Sequence, residues 1–94
     1  MDQAFTLASV ARVACPSTST LLSAIAGLSL DPGLKRIGIK ADASGQYFDP
    51  AATAAATSET IPTSLLTWPS NKTSAGNIRV FGDGTTKISI YQFV

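Results

Sequence analysis

Residues 77–94 constrain this chain more than any other stretch, because their polarity alternates twice about a single turn. Asn77-Ile78-Arg79-Val80-Phe81 alternates, Gly82-Asp83-Gly84 is turn punctuation, and residues 85–93 alternate again. A period of two sends successive side chains to opposite faces, so both halves read as strands and the whole as a β-hairpin. A chain closing on such a unit belongs with all-β folds.

The rest of the sequence carries the same punctuation. Residues 5–13 read as a first strand, with Phe5, Leu7, Ala11 and Val13 on one face and Ala8, Val10 and Arg12 on the other; Pro16 ends it. Ser17-Thr18-Ser19-Thr20 offers caps for a short helix of about two turns over residues 21–26, with Gly27 as its left-handed stop. Asp31-Pro32-Gly33 is a turn, and residues 34–41 form a strand that turns Ile37, Ile39 and Ala41 inward. Gln46-Tyr47-Phe48 starts a short strand cut off at Pro50. Residues 51–63 are helical by alanine propensity or a surface loop by their prolines and threonines, and both readings stay open. Residues 64–68 are a strand ended by Pro69, and residues 70–76 a polar loop. The expectation is one domain, residues 1–94: an all-β sandwich or small barrel of about five to seven short antiparallel strands with one short helix.

Composition narrows the function classes. Only 14% of residues are charged, against about 25% in ordinary soluble proteins. Ser, Thr and Ala make up much of the difference, which suits a surface that packs against copies or partners. The net charge is +1, and the basic residues are dispersed, so no field is set up for nucleic acid. No run reaches the ~18–20 apolar residues of a membrane span, and the start of the chain lacks a basic targeting region. Asn71-Lys72-Thr73 matches a glycosylation sequon, here a coincidence of composition.

Chemistry is sparse. Histidine is absent and Cys15 is the one cysteine, which removes the usual general base, the thiolate metal site and any intrachain disulfide. Cys15 reads as a filler of a small core gap. Asp2, Asp31, Asp42, Asp49, Glu59 and Asp83 each sit in or beside a turn, where capping explains them. The spacing from Asp42 to Asp49 lacks the further acids of a calcium loop. The expectation is therefore no enzyme, no cofactor and no metal. The aromatic residues say more. Phe81 points away from Ile78 and Val80, and Tyr91 and Phe93 point away from Ile88 and Ile90. That second face is covered within the domain or meets another subunit. Trp68 reads as a core plug or an interface anchor.

Leu34-Lys35-Arg36-Ile37-Gly38-Ile39, followed late in the chain by Ile78-Arg79-Val80, Gly82-Asp83-Gly84 and Thr86-Lys87-Ile88-Ser89-Ile90, resembles small all-β structural proteins of tailed bacteriophages. The likeness is one of strands and turns over most of the chain, and residues 51–62 have no counterpart in it. It implies a virion protein assembled in the host cytoplasm, a capsid cement or decoration protein at subunit junctions of the shell. Its implied partners are the major capsid protein and copies of itself, as a homotrimer. Phe81, Tyr91, Phe93 and Trp68 are the partner-interface candidates, with the 51–62 loop reaching toward a neighbour. The alternatives are a neck, tail or fibre-base component or, from a different class, a free carbohydrate- or ligand-binding sandwich using Trp68 and Tyr47.

Overall fold

In the computed structural model, which describes residues 5–50 and 52–94, the alternating runs form eight strands in two antiparallel sheets. The turn expected at Asp2 and the start of the Ala/Thr run at Ala51 lie outside the described residues. In chain order the strands are β1 (Leu7–Ala14), β2 (Thr20–Leu21), β3 (Arg36–Ala41), β4 (Tyr47–Asp49), β5 (Glu59–Thr60), β6 (Leu66–Pro69), β7 (Arg79–Phe81) and β8 (Lys87–Phe93). Sheet A runs β1-β8-β3-β6 and sheet B runs β2-β7-β4-β5. The pairs β1·β8, β2·β7, β3·β6 and β4·β5 are rungs of one long folded ribbon, and alternate rungs fall in opposite sheets. This is the jelly-roll arrangement, an eight-stranded double sheet built from two Greek keys.

The hairpin expected over residues 77–94 does not form. Both of its strands exist, but β7 lies in sheet B and β8 in sheet A. Two bonds stitch the crossing between them to the crossing between β1 and β2. Gly82 N–H donates to Pro16 O at 2.7 Å, and Cys15 N–H donates to Thr86 O at 2.8 Å. β8 then finds its partner in the first strand, Leu7 opposite Phe93 and Val13 opposite Ile88. Alternation specifies a strand and its faces; it does not specify the neighbour.

The faces follow the alternation in most places. Ile37, Ile39, Ala41, Ile88 and Ile90 from sheet A meet Phe48 and Val80 from sheet B, and Leu22, Leu34, Ile61 and Ile78 close the core from the connections. β1 is the exception. Its register slips between Leu7 and Ser9, so Leu7 pairs with Phe93 while Ser9 pairs with Gln92. A bulge of this kind reverses which side a residue faces. Leu7 therefore shares the outer face with Val10, and only Ala11 and Val13 pack inward.

Three connections also differ from expectation or resolve it. Residues 21–26 hold a single 3-10 turn, Leu22–Ala24, because Ile25 is already extended and Leu22 N–H is taken by Ile78 O at 2.8 Å. Gly27 does adopt the expected left-handed φ, 84°. The 70–76 loop contains a short helix, α1 (Lys72–Gly76), capped by Asn71 Oδ1 accepting from Ser74 N–H at 2.8 Å. Residues 52–58 are loop, folded back on their own subunit where buried Ala54 donates its N–H to Ser19 Oγ at 3.0 Å.

Two buried amides fix the loops to the sandwich. Gln92 accepts from Asp31 N–H and donates to Ser29 O, each at 2.7 Å, tying the loop before β3 to the centre of sheet A. Gln46 accepts from Asp83 N–H at 3.1 Å and donates to Ser44 O and Asp83 Oδ2 at 3.2 Å, so it bridges the start of β4 to the β7–β8 crossing. Both are fully satisfied, as polar groups at this depth must be.

Candidate functional site

The outer face of sheet A gathers apolar side chains that the core does not use. Directly paired residues of an antiparallel sheet share a face, so the register assembles it in rows. One row is Leu7, Phe93, Arg36 and Pro69; the next is Val10, Tyr91, Gly38 and Thr67. Leu7 is 49% exposed, Val10 47%, Leu65 45% and Phe5 37%. Large side chains left open side by side form a patch and not scattered surface apolarity.

Gly38 is what lets this face close up. A Cβ there would stand 2.9 Å from both Leu65 Cδ1 and Thr67 Cγ2, and 3.3 Å from Tyr91 Cβ. Leu65 thus lies flat over the backbone of β3. Arg36 is held down beside it, its Nε donating to Thr67 Oγ1 at 3.0 Å and its guanidinium 5.9 Å from the Phe5 ring centre. The opposite end of the same face is basic. Its next row is Arg12, Ser89 and Lys40, followed by Lys87; Arg12 is ion-paired with Asp42. An apolar field grading into a cationic border is the result.

The four sequence-predicted interface residues fall on three different surfaces. Tyr91 and Phe93 lie on the outer face of sheet A. Phe81 lies on the outer face of sheet B, stacked on Tyr47 with ring centres 6.2 Å apart. The single aromatic patch expected from a hairpin is divided because the hairpin itself is divided. Trp68 points inward from β6, 5.6 Å from the ring of Phe48 in the opposite sheet. It lines a cleft of about 560 Å³ with Lys35, Pro50, Asn71, Ser74 and Asn77, which continues past Pro50 into an apolar recess of about 290 Å³ bounded by Phe48, Glu59 and Leu66. Tyr47 is not part of that cleft, so Trp68 and Tyr47 do not form one platform.

Leu7, Val10 and Leu65 were not among the predicted interface residues. The bulge hides Leu7 from an alternation reading, and Leu65 precedes its strand. The signal available for Val10 was its place between Ala8 and Arg12 on the face opposite Ala11 and Val13.

Titratable groups are few and explained by structure. Burial, with the Asp83 charge adding to it, pushes the Cys15 thiol up to about 11. Asp83 is held well below the usual carboxylate range, first by the Thr86 hydroxyl, then by the N–H groups of Thr86 and Thr85 and by Gln46. Among the described residues no group of three His, Cys, Asp or Glu side chains converges to hold a metal ion, and no helix is long and apolar enough to cross a membrane. What the geometry defines is an eight-stranded jelly-roll domain with one apolar outer face and one aromatic cleft. No protein-family model, curated protein or solved structure matches the chain.

Proposed function

We propose that this protein is a non-enzymatic virion structural subunit of the capsid cement or decoration kind, docking on a larger protein shell through the outer face of sheet A. The observation that carries this reading is the run of Leu7, Val10 and Leu65 held nearly half exposed beside Tyr91 and Phe93. Burying such side chains gives roughly 25 cal/mol per Å² of apolar surface. The border of Arg12, Lys40 and Lys87 calls for a receiving surface that is apolar at its centre and acidic at one side. Attachment at many equivalent positions of a shell multiplies a weak single contact. Jelly rolls occur in viral capsid proteins and also in lectins, so the face, and not the fold, supports the reading.

The test is addition of purified protein to emptied phage particles, with bound copies counted by quantitative gel or mass measurement. Saturation at hundreds of copies, lost in Val10→Lys and Tyr91→Ser, is expected. A handful of copies favours a neck, tail or fibre-base position, and no binding to any particle overturns the reading. A second reading rests on the cleft, where an indole lies beside the amides of Asn71 and Asn77, a combination suited to glycans. Trp68 is the one tryptophan, so its fluorescence during a glycan titration reports directly on that alternative.

A further inference from the structure

The four sheet edges are not equally protected. Sheet B is bounded by β2 and β5, each two residues long, and sheet A on one side by β6, four residues long and ending in Pro69, which has no N–H. The remaining edge is β1, eight residues without proline or lysine. Natural sandwiches blunt long edges with such residues, because an open edge is a template for another strand.

The register shows which backbone groups of β1 are free. Hydrogen-bonded and non-bonded pairs alternate along an antiparallel ladder. Cys15 N–H donates to Thr86 O at 2.8 Å and Asp42 N–H to Lys87 O at 3.0 Å, so even-numbered residues of β8 bond to β1 and odd-numbered ones to β3. Ser9, Ala11 and Val13 are thereby turned to β8. The N–H and C=O groups of Val10, Arg12 and Ala14 point away from the sheet, and all three residues are exposed. Among the described residues β1 pairs with β8 alone.

We propose that the free edge of β1 takes β1 of a second copy of this chain, antiparallel, to make one continuous eight-stranded sheet. The sequence of β1 is complementary to itself in one register. Centred on Ala11, Val10 bonds to the partner's Arg12 and Arg12 to the partner's Val10, while Ser9 faces the partner's Val13. Centring on Arg12 would set two guanidinium groups directly opposite, which is destabilising. Centring on Val10 would carry the ladder across the bulge at Ala8. In the favoured register the small side chain of Ala11 meets the partner's Ala11 without crowding, and Val10 of each copy is covered by the apolar stem of the opposing arginine. The seam also joins the two outer faces through Val10 and Tyr91. This pairing is two-fold, so it yields a dimer and not the trimer that the phage resemblance implies. It stands on the β1 edge and holds whether or not the shell-docking reading does.

Sedimentation and native mass spectrometry over a concentration series, with residue-resolved hydrogen exchange, test this on the unmodified protein. The expected result is a monomer–dimer equilibrium in which the Val10 and Arg12 amides slow by about tenfold or more as dimer forms. Arg12→Pro, which removes an outward N–H and leaves the bonds to β8, is expected to give monomer, whereas Tyr91→Ser, on the face but not the edge, stays dimeric. A protein that is monomeric throughout, a trimer, or a dimer whose Val10 and Arg12 amides exchange as they do in the monomer overturns the proposal. The exchange measurement decides the matter even where Arg12→Pro does not fold.

Discussion

Replacing Gly82 by alanine tests the crossing that separates β7 from β8. A Cβ at Gly82 would overlap Gln46 Oε1 and stand 2.8 Å from Cys15 Sγ. Neither neighbour has room to retreat, since Gln46 and Cys15 are fully buried. The methyl group must therefore push the Gln46 amide off Asp83 N–H, its partner at 3.1 Å, and loosen its bonds to Ser44 O and Asp83 Oδ2. Leaving a buried amide without partners costs roughly 1–3 kcal/mol, and forcing extra volume into a packed site costs about the same again. The expected loss is about 2–6 kcal/mol, a large part of the roughly 5–15 kcal/mol that holds a domain together. Urea unfolding measures it, and each kcal/mol should appear as ~4–8 °C in Tm for a domain of this size. Gln46→Ala alone is also destabilising, but in the double variant the new methyl occupies space the amide has left. The double variant should thus be more stable than the sum of the singles by at least about 1 kcal/mol. Strict additivity, or a Gly82→Ala variant as stable as the parent, would show that this crossing is not packed as described.

Three further outcomes follow from the same structure. Gln92→Leu leaves Asp31 N–H and Ser29 C=O without their partner and should lower the free energy of unfolding by about 2–4 kcal/mol, read by denaturant titration. Because the Asp83 carboxylate is held below its ordinary value of 3.8, its contribution is complete above that pH and declines as acidification protonates the unfolded chain first. Asp83→Asn should therefore flatten the acid limb of the stability profile and leave its shape near neutrality unchanged. The Cys15 thiol, buried and pushed up to about 11, should resist maleimide at pH 8 in the folded protein and react at the ordinary rate in urea. Prompt native-state labelling would contradict its placement in the core.

Much of the sandwich is legible residue by residue. Ile37, Ile39, Ala41, Ile78, Val80, Ile88 and Ile90 are all buried, as their alternation with polar neighbours requires. Pairing is the part that alternation does not encode. Gly82-Asp83-Gly84 reads as a hairpin turn because its local chemistry is that of a turn; what opens it into a crossing is Gln46 and Pro16, both distant in sequence. The short helix over 21–26 loses to a tertiary bond from Ile78 in the same way. The cap at Asn71, by contrast, was available in the sequence as an asparagine three residues before Ser74. For the candidate face, Tyr91 and Phe93 follow from simple alternation, whereas Leu7 joins them only through a bulge that leaves no local signature.

The central position of β8 in sheet A has a consequence for how the molecule is made. β8 lies between β1 and β3, so neither can complete its ladder until the ribosome has delivered nearly the last residues of this sequence. Pairings between such distant segments close slowly, and a nascent chain still lacking β8 has unfinished strands that invite wrong contacts. Tyr91 and Phe93 arrive with the same strand. The outer face on which the proposed docking rests thus comes into being only together with the finished fold.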